Sequence, residues 1–256
     1  MKKNFYVSAV LLTVFFMSGS MLFAQDESKA SEDSLPGFQL LLSGDLGYAG
    51  NSDVKNFTSD QGRNTADQYN AFAAANSAAG GFKVDETTSP NMIYGGDIEM
   101  RFFPGSFGFG IGTGVHCADS TSKISSPNWS DKVEYKTSFT VVPVVATLYY
   151  VRPINENSFA AFGAGAGYYF GMLDGELSSS DTIPDDIDVY EPLSDSSTIG
   201  YHIKAEYNLF FKPFCLTAGV MGRYVQFSEF EDDNITLKLD AGLTGVSVYL
   251  AAGIAI

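Results

Sequence analysis

Residues 198–224 read TIGYHIKAEYNLFFKPFCLTAGVMGRY, and apolar and polar side chains alternate along both halves of this stretch. A period of two residues is that of a β-strand, because neighbouring side chains of a strand point to opposite faces. Lys212 and Pro213 interrupt the alternation, and proline, which lacks a backbone N–H, is typical of a turn. The stretch therefore predicts two long strands joined by a two-residue turn.

One face of this hairpin is apolar and broad, with tyrosine toward one end and phenylalanine toward the other. The other face carries glycine, threonine and charges of both signs. A transmembrane barrel turns such an apolar face to lipid and packs the polar face into its lumen. Each half of the hairpin also has the roughly 9–11 residues that a membrane-spanning strand needs.

Six further segments predict strands on the same grounds: 37–48, 91–103, 107–118, 132–150, 158–171 and a last one from about 240 to the chain end. The connections after the odd strands are long: 49–90, 119–131, 172–197 and 228–234. Those after the even strands are short, which is the pattern of outer-membrane barrels. The Ala-rich residues 64–79 are the place where the first long loop could form a short helix. The predicted fold is all-β, a single eight-stranded antiparallel up-and-down transmembrane β-barrel.

Aromatic residues and glycines agree with this arrangement. Two interfacial girdles are expected, with these members: Tyr48, Tyr94, Tyr135, Tyr168, Tyr201 and Tyr224 at the loop end, and Phe38, Phe102, Phe107, Phe211 and Phe214 at the turn end. The strand over 107–118 has glycine at every second position from Gly108 to Gly114. Antiparallel pairing would set Arg101 opposite Gly110 and Glu99 opposite Gly112, since a narrow barrel needs small residues beside large ones.

The fourth strand, 132–150, is ambiguous. If Glu134 and Lys136 point inward, then Val142, Val144 and Leu148 point inward as well. Either the inner wall is apolar there, or a bulge at Pro143 switches the two faces, because proline in a sheet often marks a bulge. The bulge is the interpretation we favour.

The N-terminal residues predict export. Lys2 and Lys3 precede an apolar run, VSAVLLTVFF, and a cut after Ala24, so residues 1–24 are expected to be a signal peptide. Residues 25–36 are polar and predict a disordered periplasmic leader, which leaves 37–256 for the barrel. Cys117 and Cys215 fall near opposite ends of different strands, so two free thiols are expected rather than a disulfide.

The segments VPVVATLYYVRP (142–153), FAAFGAGAGYYFG (159–171), YHIKAEYNLFFKP (201–213) and LTGVSVYLAAGIAI (243–256) resemble the small outer-membrane β-barrel family of OmpA-, OmpX- and OmpW-like proteins. The resemblance implies a fold, an outer-membrane location and partners in outer-membrane lipid and lipopolysaccharide or an equivalent. It names no ligand. The chain ends in Ile256, where family members usually end in an aromatic residue.

Seven charged residues lie on the inward parity of their strands: Asp45, Asp97, Glu99, Arg101, Lys204, Glu206 and Arg223. They are either a conduction path or an ion-pair network that plugs the lumen. We favour the plug, because an eight-stranded barrel is only wide enough for its own side chains and buried charges need partners.

No motif points to catalysis or to a cofactor. His116 and His202, the only histidines, lack a metal-ligating or nucleophile motif nearby and are expected to hydrogen-bond in the lumen. A formal net charge of −15 argues against nucleic acid, whose phosphates require clustered cations. We expect a monomeric, non-enzymatic surface protein without metal or cofactor, whose long loops contact an extracellular ligand. A passive path for small hydrophobic molecules, as in OmpW-like proteins, is the alternative, and a membrane-embedded enzyme is the third class.

Overall fold

A computed structural model describes residues 37–50, 52–75, 80–88, 91–155, 157–179, 194–232 and 235–256. The predicted signal peptide, 1–24, and leader, 25–36, lie outside these residues, as does most of the acidic loop within 172–197. The elements are β1 (Phe38–Ala49), α1 (Ser52–Ala75), β2 (Lys83–Thr87), β3 (Met92–Phe102), β4 (Phe107–Ser126), β5 (Trp129–Asn155), β6 (Ser158–Ser179), β7 (Ser194–Phe211), β8 (Phe214–Tyr224), β9 (Gln226–Asp232), β10 (Ile235–Gly242) and β11 (Gly245–Ala255).

Among the described strands, eight form a closed antiparallel ring in the order β1, β3, β4, β5, β6, β7, β8 and β11. Leu42 of β1 closes the ring, because it pairs with Ile98 on one side and with Ala252 on the other. Because the ring is closed, none of these eight strands has an unpaired edge. The end that carries the β3–β4, β5–β6 and β7–β8 connections is called the turn end, and the opposite end the loop end.

The predicted registers are confirmed. In the β7–β8 hairpin, Phe211 pairs with Phe214 beside the two-residue turn. On the neighbouring wall, Arg101 lies opposite Gly110 and Glu99 lies opposite Gly112. Both cysteines are free thiols, as expected from their separate strands.

The loop end is more ordered than the sequence analysis expected. The loop predicted over 119–131 is wrong, because β4 and β5 continue through it and meet at a tight turn at Pro127 and Asn128. The loop predicted over 49–90 holds helix α1 and strand β2, and β2 pairs with β4. Of the loop predicted over 228–234, residues 228–232 belong to strand β9, which pairs with β10. Strands β4 to β7 thus form a tall wall, whereas β1, β3, β8 and β11 stop lower.

The bulge expected at Pro143 is absent: β5 keeps one register with β4 from Tyr150 to Val133 and one with β6 past Pro143. Odd-numbered residues of β5 face inward from Val133 to Val151, and Val144 and Leu148 face outward with 45% and 73% exposure. Glu134 and Lys136 are on the outward parity, above the apolar part of the wall. Their charges mark the end of the lipid-facing surface, not a change of face.

The outside of the ring is an apolar belt, with exposed large side chains that include Leu42, Phe107, Ile203 and Leu250. Tyrosines border it at the loop end and phenylalanines at the turn end, as predicted, except that Tyr135 is buried and belongs to neither girdle. Exposed apolar side chains that encircle a closed sheet suit lipid rather than water. No helix among the described residues is long and apolar enough to cross a membrane.

Candidate functional site: the barrel interior

Four of the predicted lumen residues form a compact group near the turn end, which we call the Arg101 cluster: Glu99, Arg101, Lys204 and Glu206. The guanidinium of Arg101 donates to Oε2 of Glu99 at 2.7 Å and to both carboxylate oxygens of Glu206 at 2.7 and 2.8 Å. The ammonium of Lys204 donates to Oε2 of Glu99 at 3.0 Å. Two cations and two carboxylates balance, which buried charges require.

Two tyrosines complete this cluster. The hydroxyl of Tyr149 donates to Oε1 of Glu99 at 2.5 Å, and that of Tyr249 donates to Oε1 of Glu206. Arg101 also lies over the ring of Tyr149, with Cζ 4.7 Å from the ring centroid. The sequence analysis did not single out Tyr149, because it looked for lumen partners only among charged residues and histidines. Its inward parity could have been read from the alternation of Val145, Thr147 and Tyr149.

Glycines make room for these large side chains. A Cβ on Gly110 would come within 2.6 Å of Oε1 of Glu99, and one on Gly219 within 2.5 Å of the ring of Tyr249. A side chain at either position would overpack the lumen. The Gly-rich inner faces of β4 and β8 therefore belong with the charges of the facing strands.

The other three predicted residues, Asp45, Asp97 and Arg223, form a second group together with His116, which we call the Arg223 cluster. Arg223 Nη1 lies 3.0 Å from Oδ2 of Asp45, and Nη2 lies 3.4 Å from Oδ2 of Asp97. The ring of His116 meets the remaining oxygens: Nε2 is 3.1 Å from Oδ1 of Asp97, and Nδ1 is 3.2 Å from Oδ1 of Asp45. The side chains that the sequence placed in one network thus divide into two clusters.

The three potential ligand atoms of Asp45, Asp97 and His116 lie within 4.8 Å of one another. A metal ion would have to share this space with the guanidinium of Arg223, whose Nη1 is 3.5 Å from Nδ1 of His116. A divalent ion beside this guanidinium would give the two carboxylates one positive charge too many, and an unbalanced charge is costly in a buried site. The arrangement is that of an ion-pair cluster.

A small cavity of about 20 Å³ separates the two clusters, and Glu99, Lys204, Asp97 and Arg223 contribute to its lining. That volume holds about one water molecule. His202 also lines this cavity and is hydrogen-bonded to Thr147, with 2.8 Å between Nε2 and Oγ1. The two histidines therefore have different partners, His116 carboxylates and His202 a hydroxyl.

Above the Arg223 cluster, the interior is apolar. Phe139 of β5 packs edge-on against Phe227 and Phe230 of β9, with ring centroids 5.6 and 6.0 Å apart. Helix α1 closes this region from the loop end with Val54 and Phe57. We call it the upper core; its other members are Ala49, Ile93, Ala118, Val141, Tyr169, Leu173, Val225, Leu239, Ala241 and Leu243.

Helix α1 is fixed in place by more than apolar contacts. The hydroxyl of Thr58 lies 2.8 Å from that of Thr137 on β5, and Ser122 of β4 donates to the carbonyl of Thr58 at 3.0 Å. Further along the helix, Tyr69 packs on Phe82 with ring centroids 5.0 Å apart. The helix is therefore part of the packed barrel interior, although only its Ala-rich second half pointed to a helix in the sequence.

No protein-family model and no curated protein sequence matches the chain. Solved structures of similar fold include neisserial surface protein A, at 11% identity over 86% of this chain and 96% of that chain, with a TM-score of 0.44. Outer membrane protein OprG from Pseudomonas aeruginosa is 9% identical over 89% and 99% of the two chains, with a TM-score of 0.46. The Ail attachment invasion locus protein of Yersinia pestis, in complex with the heparin analogue sucrose octasulfate, is 11% identical over 87% and 100%, with a TM-score of 0.36. By its own geometry, a closed ring of eight antiparallel strands inside an apolar belt, this chain is a small transmembrane β-barrel of the outer-membrane type.

Proposed function

We propose that the protein is a non-enzymatic outer-membrane barrel that does not conduct solutes and acts at the cell surface through its loop end. The part that would act there, which we call the extension, consists of the ends of β4 to β7 above the apolar belt together with α1, β2, β9 and β10. The filled interior carries this proposal. Paired charges occupy the lumen near the turn end, and the upper core occupies the rest. The cavity between the two charged clusters is too small for anything larger than water.

The extension itself has the surface of a protein that meets water and polar ligands. On its outer face Lys136 lies 3.3 Å from Asp119, and Lys123 lies 3.7 Å from Glu86. The hydroxyl of Tyr94, at the border of the apolar belt, donates to Asp119 at 3.0 Å. Mixed charges that begin directly above the tyrosines fit a wall that has left the lipid.

The alternative function, a passive path for small hydrophobic molecules, loses the sequence feature that suggested it. That feature was the interpretation of β5 with an apolar inner wall, in which Val144 and Leu148 line the lumen, but both are exposed on the lipid face. The apolar region inside the barrel is occupied by Phe139, Phe227 and Phe230 themselves. A hydrophobic solute could pass only if these rings moved aside.

A planar-bilayer recording on refolded protein tests the proposal. We expect no stable conductance steps from the wild-type barrel, and no increase in the uptake of a hydrophobic dye into vesicles that contain it. If a variant of the upper core is also recorded, Phe162→Ala is its matched control, because the ring of Phe162 lies on the lipid face and is 55% exposed. Regular current steps or dye uptake by the wild type would contradict the proposal and favour a channel.

The orientation is tested separately in intact cells. In a background without the two native thiols, a cysteine at Lys136 should react with a membrane-impermeant maleimide, since that side chain lies on the extension. A cysteine at Ile154, exposed at the turn end, should react only after the outer membrane is broken. The reverse pattern would place the extension in the periplasm and end the surface role.

A further inference from the structure

The Arg223 cluster does not balance its charges in the way the Arg101 cluster does. Two carboxylates, Asp45 and Asp97, face a single guanidinium. The side chains of Asp45 and His116 are fully buried, and those of Asp97 and Arg223 are 18% and 7% exposed. An uncompensated negative charge in such a place is costly, so one more positive charge is needed there.

His116 stands where that charge is needed. Its Nε2 and Nδ1 atoms lie 3.1 and 3.2 Å from one oxygen each of Asp97 and Asp45. A carboxylate oxygen can only accept, and a neutral imidazole has one N–H, so only the imidazolium can donate on both sides. Oδ1 of Asp45 is buried and accepts no other hydrogen bond from the described residues, so it faces a bare lone pair if Nδ1 of His116, 3.2 Å away, carries no proton.

The groups around His116 come from every neighbouring wall. Asp45 lies on β1, Asp97 on β3 and Arg223 on β8, and Arg223 Nη1 is 3.5 Å from Nδ1 of the histidine. Beyond them, the cavity is lined by further titratable groups on β3, β6 and β7, namely Glu99, Tyr169, His202 and Lys204. Glu99 and Lys204 are already paired with each other, so they leave the excess negative charge of the Arg223 cluster unchanged.

We propose that His116 is a buried proton-binding site, and that the proton it holds ties β1, β3, β4 and β8 together as part of a balanced four-residue ion cluster. The proton can be bound as the barrel folds, before the interior closes around His116. When the barrel unfolds, the carboxylates separate from the ring and the proton is released near neutral pH. Folding of the barrel is therefore linked to proton uptake.

The first test reads the protonation state in the wild-type protein. With ¹⁵N-labelled histidine, the barrel in detergent should give imidazolium nitrogen shifts for one histidine at pH 7.5. The signal is assigned by its loss in His116→Gln and its retention in His202→Gln. A neutral-tautomer signal for His116, with Nδ1 accepting from Arg223, would overturn the proposal without requiring any variant of the cluster to fold.

The second test reads linkage. Above about pH 6.5, where an unfolded histidine is losing its proton, the wild-type ratio of folded to unfolded barrel should fall by up to about tenfold for each pH unit. Asp45→Asn removes one carboxylate at almost constant shape, so the cluster balances without a proton and this dependence should flatten. His202→Gln should keep the wild-type dependence.

Two outcomes of the second test would overturn the proposal. One is an equal pH dependence in the wild type and Asp45→Asn. The other is an increase in the wild-type unfolding midpoint on addition of Zn²⁺ at fixed pH that is absent in Asp45→Asn, which would assign the cluster to a metal ion instead.

Discussion

The Arg101 cluster and the upper core lie inside the same barrel, yet they fill it by opposite means. Strand β5 contributes to both from one face, with Tyr149 near the turn end and Phe139 near the loop end. Around Tyr149, the charged neighbours are placed by directed contacts, a hydrogen bond to Glu99 and a cation–π contact with Arg101. Around Phe139, the neighbours are aromatic and aliphatic groups that only have to fill volume. One narrow barrel can therefore be filled by charge pairing or by apolar packing, and the two halves should lose stability in different ways.

The largest effect is expected from Arg101→Ala, because it leaves Glu206 without its cation in a fully buried place. Breaking a buried pair in this way costs about 3–5 kcal/mol. Arg101→Ala/Glu206→Gln should recover more stability than Arg101→Ala/Glu99→Gln, since Glu99 keeps Lys204 at 3.0 Å. Urea unfolding in lipid vesicles measures all three.

Arg152→Ala is the control for this series, because Arg152 is exposed at the turn end. An Arg101→Ala midpoint close to that of Arg152→Ala would mean that water screens the lumen charges. The interior around the Arg101 cluster would then contain water, and it would differ from the upper core in solvent content as well as in the kind of side chains.

In the upper core, Phe139→Ala should cost about 3 kcal/mol, the lower end of the usual range for a buried phenylalanine. Helix α1 and the β9 rings can settle partly into the space, which the charged cluster cannot do. Phe139→Leu should be much milder, because it keeps most of the volume. The urea unfolding midpoints of the two variants test this expectation. A loss of stability in Phe139→Leu as large as that in Phe139→Ala would show that the ring contacts matter more than the volume filled.

The smallest effect on stability is expected from alanine substitutions at two glycines of β8, one in a tight position and one in an open position. Gly219→Ala would push a methyl group into the ring of Tyr249, whereas Gly222→Ala meets only Ile203 at 3.4 Å on the lipid side. Overpacking of the first kind costs about 1–3 kcal/mol, and the second change should be nearly neutral. Equal midpoints would show that Tyr249 can move freely, against the directed contact it makes with Glu206.

The sequence predicts the membrane-spanning part well, because a lipid exterior imposes a strict alternation on every strand. Ile203 and Lys204 can be assigned to opposite faces on this rule alone, and the glycines of β4 find their charged partners by register. The rule fails where a strand leaves the membrane. Glu134 and Lys136 are outward because water is outside at that height. Interpreting these polar residues as inward ones gave the wrong parity for the first part of β5 and required a bulge at Pro143 that the register excludes.

Two other features could not be predicted from local sequence patterns. Helix α1 is stabilised by burial against β4, β5 and β10, so its extent from Ser52 depends on tertiary packing that its own sequence reflects only weakly. The division of the lumen into two clusters depends on which charges meet across the barrel, for example Arg223 with Asp45. The alternation along a strand predicts which face of the sheet each residue lies on. Which residue it meets across the barrel depends on how far each strand is shifted along the barrel axis.

The pairing of β1 with β11 has a consequence for how the chain could be rewired. Phe38 and Ile256 exchange backbone hydrogen bonds of 3.1 and 3.0 Å, so the two ends of the barrel lie side by side at the turn end. A short linker between them would create no new crossing in the sheet. The order of the strands could then be permuted, with a new start at an exposed turn such as Gly105. In such a barrel the present first and last strands would be interior to the chain, and ring closure would pass to the β3–β4 pair.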